Sequence, residues 1–305
     1  MTPGRPVDLA PGDALAVHRV RARNLFRGST NRIHDDAVAR RYGFAGGLVA
    51  GTTIYAYLSH LLVRLWGPTW LERGTTRIRF LRPVYEGDSV LVGGRVVARS
   101  GGPAAGEALL ELTATADGGD VTTTAVAGLA WGGEPVRPDP VVYPLGLSPS
   151  SRAPATPEAL GALGILGSPD LILDTETAAG YATEADDPLE IYRGPGAAAH
   201  PGLLLQQANR LLSENVALGP WVHVASDLAH VGLARAGDRL TTRGRVGRLF
   251  TRKGREYAEL DVLVVADGPR PILHVRHTAI YRLPSSGRID RQAGPAAEWS
   301  PRDML

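Results

Sequence analysis

The sequence contains no cysteine. Disulfide bonds, thiolate catalysis and cysteine-ligated metals are therefore excluded, and a reducing compartment is favoured, so we expect a cytoplasmic protein. No apolar run approaches the roughly 18 residues of a membrane span, and the first residues lack the apolar core of a secretion signal. We accordingly expect no membrane partner.

Aromatic residues and net charge are low as well. Aromatics make up 6% of the chain, and 33 basic residues face 31 acidic ones. Nucleic-acid binding calls for a basic surface interleaved with aromatics, so we expect no nucleic-acid partner. A small anionic ligand remains compatible with local arginines, whose densest group is Arg64, Arg73, Arg77, Arg79 and Arg82.

What the sequence does contain is a duplication at a spacing near 150 residues. Gly87-Asp88 is answered by Gly237-Asp238, and Ala116-Asp117-Gly118 by Ala266-Asp267-Gly268. Segment 34–51 likewise matches segment 185–202, which aligns His34 with Ala185 and Gly51 with Gly202. The alternative is a set of unrelated loops that share common turn residues.

Both repeats predict the same elements. Each has a long, mostly apolar and therefore buried helix, at 48–65 and 202–215. A strand at 14–20 precedes the first helix. Four strands follow each helix, at 75–85, 89–99, 108–116 and 121–131, and at 222–233, 239–250, 255–266 and 272–281. A buried helix followed by an antiparallel meander implies an α+β architecture in which the sheet wraps around the helix.

Composition sets the predicted boundaries. We expect an N-terminal repeat over 1–131, a linker rich in proline and glycine over 132–180 that lies on the surface, a second repeat over 181–284 and a polar tail over 285–305.

One motif carries a family resemblance. Asn31-Arg32-Ile33-His34-Asp35-Asp36 is followed by Gly43-Phe44 and then by Leu48-Val49-Ala50-Gly51. This resembles the hydratase motif of the MaoC-like dehydratases, which include the (R)-specific enoyl-CoA hydratases, and the two repeats resemble a double hotdog. The resemblance implies hydration of a 2-enoyl thioester or dehydration of a 3-hydroxyacyl thioester. It also implies a coenzyme A or acyl carrier protein thioester as partner, no cofactor or metal, and a monomeric double hotdog or a homodimer.

By position, the resemblance makes His34 the catalytic acid/base, Asn31 the motif asparagine and Gly51 the helix-opening glycine whose N–H polarises the thioester carbonyl. A packing or loop role is the alternative for each. Tyr42 is a candidate hydrogen-bond donor to the substrate, or else a packed aromatic.

The departures from the motif leave the carboxylate open. The family aspartate falls on Ser29, which cannot act as a carboxylate and is otherwise a turn cap. Either Asp35 or Asp36 takes that role, or His34 works alone, or the chemistry is altered. Both aspartates also suit the first turn of a short helix.

The second repeat has no histidine at the aligned position, Ala185. His200, at the predicted helix start beside Pro201, is interpreted as structural. Ala50 replaces the family histidine before the first helix. The remaining histidines on predicted strands, His223, His230, His274 and His277, lack metal-ligand spacing.

Two other functions remain open. A thioesterase on the same fold would usually place a carboxylate on or beside the central helix, and the first predicted helix has none. A non-catalytic acyl-binding protein or scaffold is favoured by Ser29.

Overall fold

The computed structural model describes residues 9–102 and 104–283. Its helices are α1 (Asp36–Arg41), α2 (Gly51–Trp66), α3 (Pro68–Arg73), α4 (Pro157–Ala162), α5 (Thr175–Glu184) and α6 (Pro201–Asn215). Its strands in the first half are β1 (His18–Arg21), β2 (Gly74–Phe80), β3 (Ser89–Gly101), β4 (Gly106–Thr115) and β5 (Val121–Trp131). The remaining strands are β6 (Ala153–Pro154), β7 (Asp170–Ile172), β8 (Val216–Ala217), β9 (Val222–His230), β10 (Arg239–Arg252), β11 (Arg255–Ala266) and β12 (Arg270–Arg282).

The two long helices lie at the centre of the molecule. Helix α2 is buried on nearly all of its faces, and α6 on most of them, because their residues are largely apolar. The helices contact each other, while α2 also packs on β1, β3 and β4 and α6 on β10, β11 and β12. The predicted α+β class, with a sheet around buried helices, is confirmed.

Ten strands form a single sheet in the order β1-β3-β4-β5-β2-β9-β12-β11-β10-β7, and every neighbouring pair is antiparallel. The two halves meet where β2 pairs with β9, from Thr75 opposite Ala229 to Arg79 opposite Ala225. The sheet is therefore continuous across the two repeats. The eight predicted long strands are all present, with ends shifted by a few residues.

The predicted linker is shorter than expected. Strand β7 lies inside residues 132–180, yet it pairs with β10 just as β1 pairs with β3, so the second repeat begins at or before Asp170. A strand of three residues is too short to show an alternating pattern, which is why the sequence did not reveal it. The predicted tail over 285–305 lies outside the described residues.

Main-chain hydrogen bonds give the register of the duplication. Leu48 N–H donates to the carbonyl of Ile33, and Ala198 N–H donates to the carbonyl of Ile191. Val49 and Ala199 then donate to Val84 and Ala234 in the same way. The structure therefore aligns Leu48 with Ala198 and the 3₁₀ turn Arg32–His34 with the turn Glu190–Tyr192.

This register corrects two alignments made from the sequence. His34 corresponds to Tyr192 rather than to Ala185, and Gly51 corresponds to Pro201 rather than to Gly202. The second half inserts the ten-residue helix α5 before its 3₁₀ turn, whereas the first half inserts the six-residue helix α1 after its own. The two insertions are nearly equal in length, so residues before and after both of them keep a constant spacing in the sequence. The residues between the insertions are shifted, and that constant spacing concealed it.

None of the described helices combines the length and the apolar character that crossing a membrane requires.

Candidate active site

A cavity of about 650 Å³ lies between the two halves, within the range of small-molecule sites. The first half contributes the start of α2 and the segment 79–85, and the second half contributes the start of β9 and the tip of the β10–β11 hairpin. All four phenylalanines of the chain lie at this site. Phe44, Phe80 and Phe250 line it, and the ring of Phe26 lies 5.6 Å from that of His34. The phenylalanine rings therefore give the cavity an apolar stretch of wall that suits an acyl chain.

His34 lines this cavity and is only 8% exposed. Its Nδ1 lies 2.7 Å from the carbonyl oxygen of Leu48. Because a carbonyl only accepts, Nδ1 carries the proton in the neutral ring, and Nε2 keeps its lone pair as an acceptor. Burial lowers the pKa of His34 below 6.5, partly opposed by the Leu48 bond and the charge of Asp35. The ring is thus a neutral base at pH 7.

Asn31 ties the His34 turn to the other half of the molecule. Its Nδ2 donates to the carbonyl of Trp221 at 3.0 Å, and its Oδ1 accepts from the N–H of Trp221 at 3.2 Å. The same Oδ1 caps the 3₁₀ turn at the N–H of Ile33, and Nδ2 lies 3.4 Å from Nε2 of His34. Asn31 therefore both stabilises the loop and contacts Nε2 of His34.

Gly51 opens α2 and also lines the cavity. Its N–H belongs to the first turn, where amides have no carbonyl partner within the helix and the helix dipole favours negative charge. A Cβ at this position would lie 2.9 Å from the Phe80 ring and 3.0 Å from Nδ1 of His223. Glycine is required here because the two rings pack directly on the backbone.

Asp35 and Asp36 hold the loop and do not line the cavity. Asp35 accepts from the N–H of Gly28 at 3.0 Å and pairs with Arg32. Asp36 accepts from the N–H of Gly47 at 2.8 Å. The hydrogen bonds from Gly28 and Gly47 are the main reason why the pKa values of these two carboxyls lie below their usual range. The structure thus brings His34 to the cavity and leaves both neighbouring carboxylates outside it.

Ser29 and Tyr42 do not line the cavity either. The hydroxyl of Ser29 donates to the carbonyl of Asn31 at 3.4 Å. Tyr42 packs against a small apolar cluster that contains Ile33, Ala39 and Leu48. Of the seven residues selected from the sequence, His34, Asn31 and Gly51 are the ones that meet at the cavity.

His223 is a cavity residue that the sequence did not single out. Its Nε2 lies 3.1 Å from the carbonyl of Ala225 and 2.8 Å from Oγ of Ser226, and its ring packs edge-on against Phe80 at 4.8 Å. Its Nδ1 is buried and has no hydrogen-bond partner among the described residues. No local motif marks this position, because the contact depends on the pairing of the two halves.

Five arginines line the cavity, and only some of them are neutralised. Arg252 and Arg255, at the tip of the β10–β11 hairpin, form no ion pair with any described residue. Lys253, the only lysine in the chain, lies between them. The other three arginines pair with carboxylates: Arg79 with Asp227, Arg82 with Asp120 and Arg248 with Glu259. The tip of the hairpin therefore carries a positive charge that no ion pair with a described residue neutralises.

The second half holds a closed counterpart of the site. His200 is the N-cap of α6, as Ala50 is the N-cap of α2. Its Nδ1 accepts from the N–H of Gly202 at 3.1 Å and its ring is fully buried, which agrees with its interpretation as structural. Tyr192, in the place of His34, packs on His200 with a ring distance of 4.5 Å.

Asp187 is the carboxylate of this counterpart. It lies two residues before the N-cap of its 3₁₀ turn, as Ser29 does in the first half. Its oxygens bind His60 at 3.0 Å and His200 at 3.2 Å, and all three side chains are buried. Burial alone would raise the pKa of Asp187, but the bonds from His200 and His60 bring it well below its usual range.

No group of three or more histidine, aspartate or glutamate side chains in the described ranges is arranged to hold a metal ion.

Comparison with known proteins identifies the fold. No protein-family model matches the sequence, and no curated protein is significantly similar to it. A MaoC domain protein from Chloroflexus aurantiacus J-10-fl is similar in structure, with 12% identity, a TM-score of 0.67, and coverage of 92% of this chain and 98% of that one. Rv0216 of Mycobacterium tuberculosis, described as a double hotdog, has 19% identity, a TM-score of 0.62, and coverage of 91% and 98%. The fold is a double hotdog.

The same fold occurs in proteins named for a different reaction. A protein from Lactobacillus plantarum named as an oleoyl thioesterase has 11% identity, a TM-score of 0.52, and coverage of 90% of this chain and 98% of that one. At these identities the likeness establishes the architecture. The resemblance to MaoC-like dehydratases therefore holds at the level of fold, and the reaction has to be argued from the site.

Proposed function

We propose that this protein hydrates a 2-enoyl thioester, or dehydrates a 3-hydroxyacyl thioester, with His34 as acid and base. The observation that carries the proposal is the meeting of two groups on one apolar cavity. Nε2 of His34 is the unprotonated nitrogen of the ring, because Nδ1 is engaged by Leu48, and the amide of Gly51 opens a buried helix. A base beside a donor for a developing oxyanion is what proton transfer next to a carbonyl requires.

In the direction of hydration, Nε2 of His34 takes one proton from a water molecule. The water oxygen forms a bond to C3, the C2–C3 π bond breaks, and the electron pair moves to the thioester oxygen, which the Gly51 N–H stabilises. His34 then returns its proton to C2, and the carbonyl forms again. The sum is addition of one water, and dehydration is the reverse.

The substrate handle is a coenzyme A or acyl carrier protein thioester. Support comes from the tip of the β10–β11 hairpin, where Arg252 and Arg255 line the cavity and form no ion pair with a described residue. Either handle carries phosphate groups, which guanidinium groups bind well. The apolar wall contributed by both halves would then hold the acyl chain.

The direct test is the variant His34→Asn, whose amide keeps a donor for the Leu48 carbonyl but removes the base. We expect the rate of loss of enoyl absorbance with crotonyl-CoA and longer 2-enoyl-CoA thioesters to fall by about 10²–10⁴. Asp35→Asn and Asp36→Asn are matched controls on the same loop, and each should change that rate by less than about tenfold. Hydration that is unchanged in His34→Asn would reject the proposal, and a loss in Asp36→Asn as large as in His34→Asn would return the carboxylate role to Asp36.

A non-catalytic acyl-thioester-binding protein is the second candidate. It is favoured by Ser29 at the position of the family aspartate, and by the hydrogen bonds that engage Asp35 and Asp36 in the loop. Thermal stabilisation by butyryl-CoA, with neither loss of enoyl absorbance nor release of thiol, would support binding alone. Release of free thiol would instead indicate a thioesterase, a reaction for which α2 offers no carboxylate.

A further inference from the structure

We propose that His223, from the second half, is the second hydrogen-bond acceptor of the site and holds the reacting water through the hydrogen that His34 does not remove. The inference rests on the proposed hydration and names a residue for it that no sequence motif marks. In dehydration, the same nitrogen would hold the hydrogen of the 3-hydroxyl that leaves as water.

The hydrogen bonds of His223 fix which nitrogen is free. Nε2 lies 3.1 Å from the carbonyl of Ala225, which can only accept, so the ring proton is on Nε2. Ser226 Oγ, 2.8 Å away, accepts from the same N–H and can donate its own hydroxyl hydrogen in a hydrogen bond to Nδ1 of His277 at 3.2 Å. Nδ1 of His223 is therefore left as a bare acceptor.

Nδ1 of His223 lies close to the start of α2. His223 lines the cavity on β9, opposite the half that carries His34. Its Nδ1 lies 3.0 Å from the point that a Cβ of Gly51 would occupy, so it borders the start of α2, where the thioester carbonyl would bind. Gly51 thus supplies the proposed oxyanion donor through its N–H and also borders this acceptor.

Nδ1 of His223 has no hydrogen-bond partner among the described residues. It is buried and accepts no hydrogen bond from any described residue. An unsatisfied buried acceptor costs about 1–3 kcal/mol and calls for an explanation. A donor supplied by bound water or substrate would satisfy it, and the hydrogens on the reacting oxygen are donors that the proposed reaction brings to the start of α2.

The chemistry requires such a group. A water that attacks C3 needs one acceptor for the proton that it loses and a second to orient its other hydrogen, so that a lone pair faces the carbon. In the family motif a carboxylate is available, but here that position is Ser29, outside the cavity. No proton moves to His223 in this role, because the hydrogen that it holds stays on oxygen in the product hydroxyl.

The electrostatics agree with an acceptor that never becomes charged. Burial, with the neighbouring His277, lowers the pKa of His223 well below 6.5, and the guanidinium of Arg79 acts in the same direction. His34 has a smaller downward shift, opposed by Leu48 and Asp35. Of the two rings, His34 is therefore the one suited to carry a proton.

The test compares His223→Phe, which keeps a ring against Phe80 but removes the acceptor, with His223→Asn, whose Oδ1 can replace Nδ1. With crotonyl-CoA we expect kcat to fall at least tenfold in His223→Phe and to recover in part in His223→Asn, while KM changes by less than about threefold. His230→Phe is the matched control, because His230 lies on the same strand, is equally buried and binds Tyr55 away from the cavity.

Binding is measured separately with butyryl-CoA, which lacks the double bond. We expect its affinity to be kept in His223→Phe. Wild-type kcat in His223→Phe, equal loss of kcat in the two His223 variants, or a loss of butyryl-CoA affinity as large as the loss of kcat would overturn the proposal. Should His223→Phe fail to fold, His223→Leu is compared with His223→Asn in the same way.

The two proposals fail differently. Absence of hydration by the wild-type protein with every enoyl thioester rejects the proposed function, and the role of His223 with it. Hydration that His34→Asn abolishes and His223→Phe spares rejects the role of His223 alone.

Discussion

The side-chain amide of Asn31 pairs with both main-chain groups of Trp221, at 3.0 and 3.2 Å. One residue of the His34 loop is thereby joined to the segment that leads into β9 of the other half. Because His223 lies two residues after Trp221, the same pair of bonds sets the distance between the two histidines across the cavity.

Replacing Asn31 by alanine should damage both stability and catalysis. The variant leaves the N–H and carbonyl of Trp221 without partners in a partly buried place, which costs about 1–3 kcal/mol, and it releases the His34 turn. We expect a lower urea midpoint and a lower kcat with crotonyl-CoA. Ser29→Ala removes only a 3.4 Å bond within the same loop and should leave both quantities nearly unchanged. If Asn31→Ala behaves like Ser29→Ala, the hydrogen bonds between Asn31 and Trp221 contribute neither to stability nor to catalysis.

The pH dependence of kcat/KM should have an acid limb that belongs to His34. The base must be neutral, so activity rises with pH through the pKa of His34 and is level above it. Because burial lowers that pKa below 6.5, the midpoint of the acid limb should lie below pH 6.5, and kcat/KM should be constant around pH 7. Asp35→Asn removes a charge that raises this pKa, so it should move the limb to still lower pH. A limb centred above pH 7 would contradict the assignment.

Gly51→Ala should lose activity because the added methyl group meets Phe80 at 2.9 Å and His223 at 3.0 Å. Either ring has to move, and both line the cavity. We expect kcat to fall at least tenfold and stability to drop. Gly180→Ala is the control, because Gly180 lies within α5 and a Cβ there meets nothing within 4 Å. That variant should gain up to about 1 kcal/mol from helix propensity.

Asp187→Asn should destabilise the fold strongly. The carboxylate accepts from His60 and His200 in a buried place, and removing one member of a buried polar pair costs about 3–5 kcal/mol. Glu111→Gln, in the exposed pair with Arg95, should cost no more than about 1 kcal/mol. Urea unfolding at pH 7 distinguishes the two, and equal effects would contradict a structural role for Asp187.

The same cluster predicts acid lability. The pKa of Asp187 is lower in the folded protein than its unfolded value of about 3.9. The contribution of this carboxylate to the free energy of unfolding is therefore fully present above pH 4 and is lost as the pH falls from there through the folded pKa. Burial lowers the pKa of His200 below 6.5, so protonation of the unfolded chain already erodes stability below pH 6.5. We expect the urea midpoint to decrease between pH 6.5 and pH 4 because of His200, and to decrease further below pH 4 because of Asp187. In Asp187→Asn the second decrease, below pH 4, should be shallower.

The sequence was sufficient for the architecture because the architecture is repeated and regular. The helices around Leu58 and Leu205 are apolar over several turns, and most of the long strands end at a glycine or aspartate turn such as Asp117-Gly118. These signals are local, so a single sequence carries them. The short strand β7 and the first six residues of α5, 175–180, were assigned to the linker because neither element is long enough to show a period.

The site was predicted only where it depends on local sequence. His34, Asn31 and Gly51 lie on one motif and meet at the cavity. His223, Arg252 and Arg255 come to the same cavity through the pairing of the two halves, which no spacing along the chain encodes. The role of Asp187 was missed for another reason: compensating insertions placed Ala185 opposite His34 in the sequence alignment, and only the main-chain bonds of Ile191 restored the register.

The fusion of both repeats into one polypeptide, joined at β2 and β9, has a consequence for divergence. In an assembly of two identical subunits, every substitution is imposed on both copies of a site at once. A single gene that encodes both copies is free of that symmetry. Tyr192 and His34 can then differ, so one copy of the site is filled by packed side chains while the other keeps a histidine at a cavity.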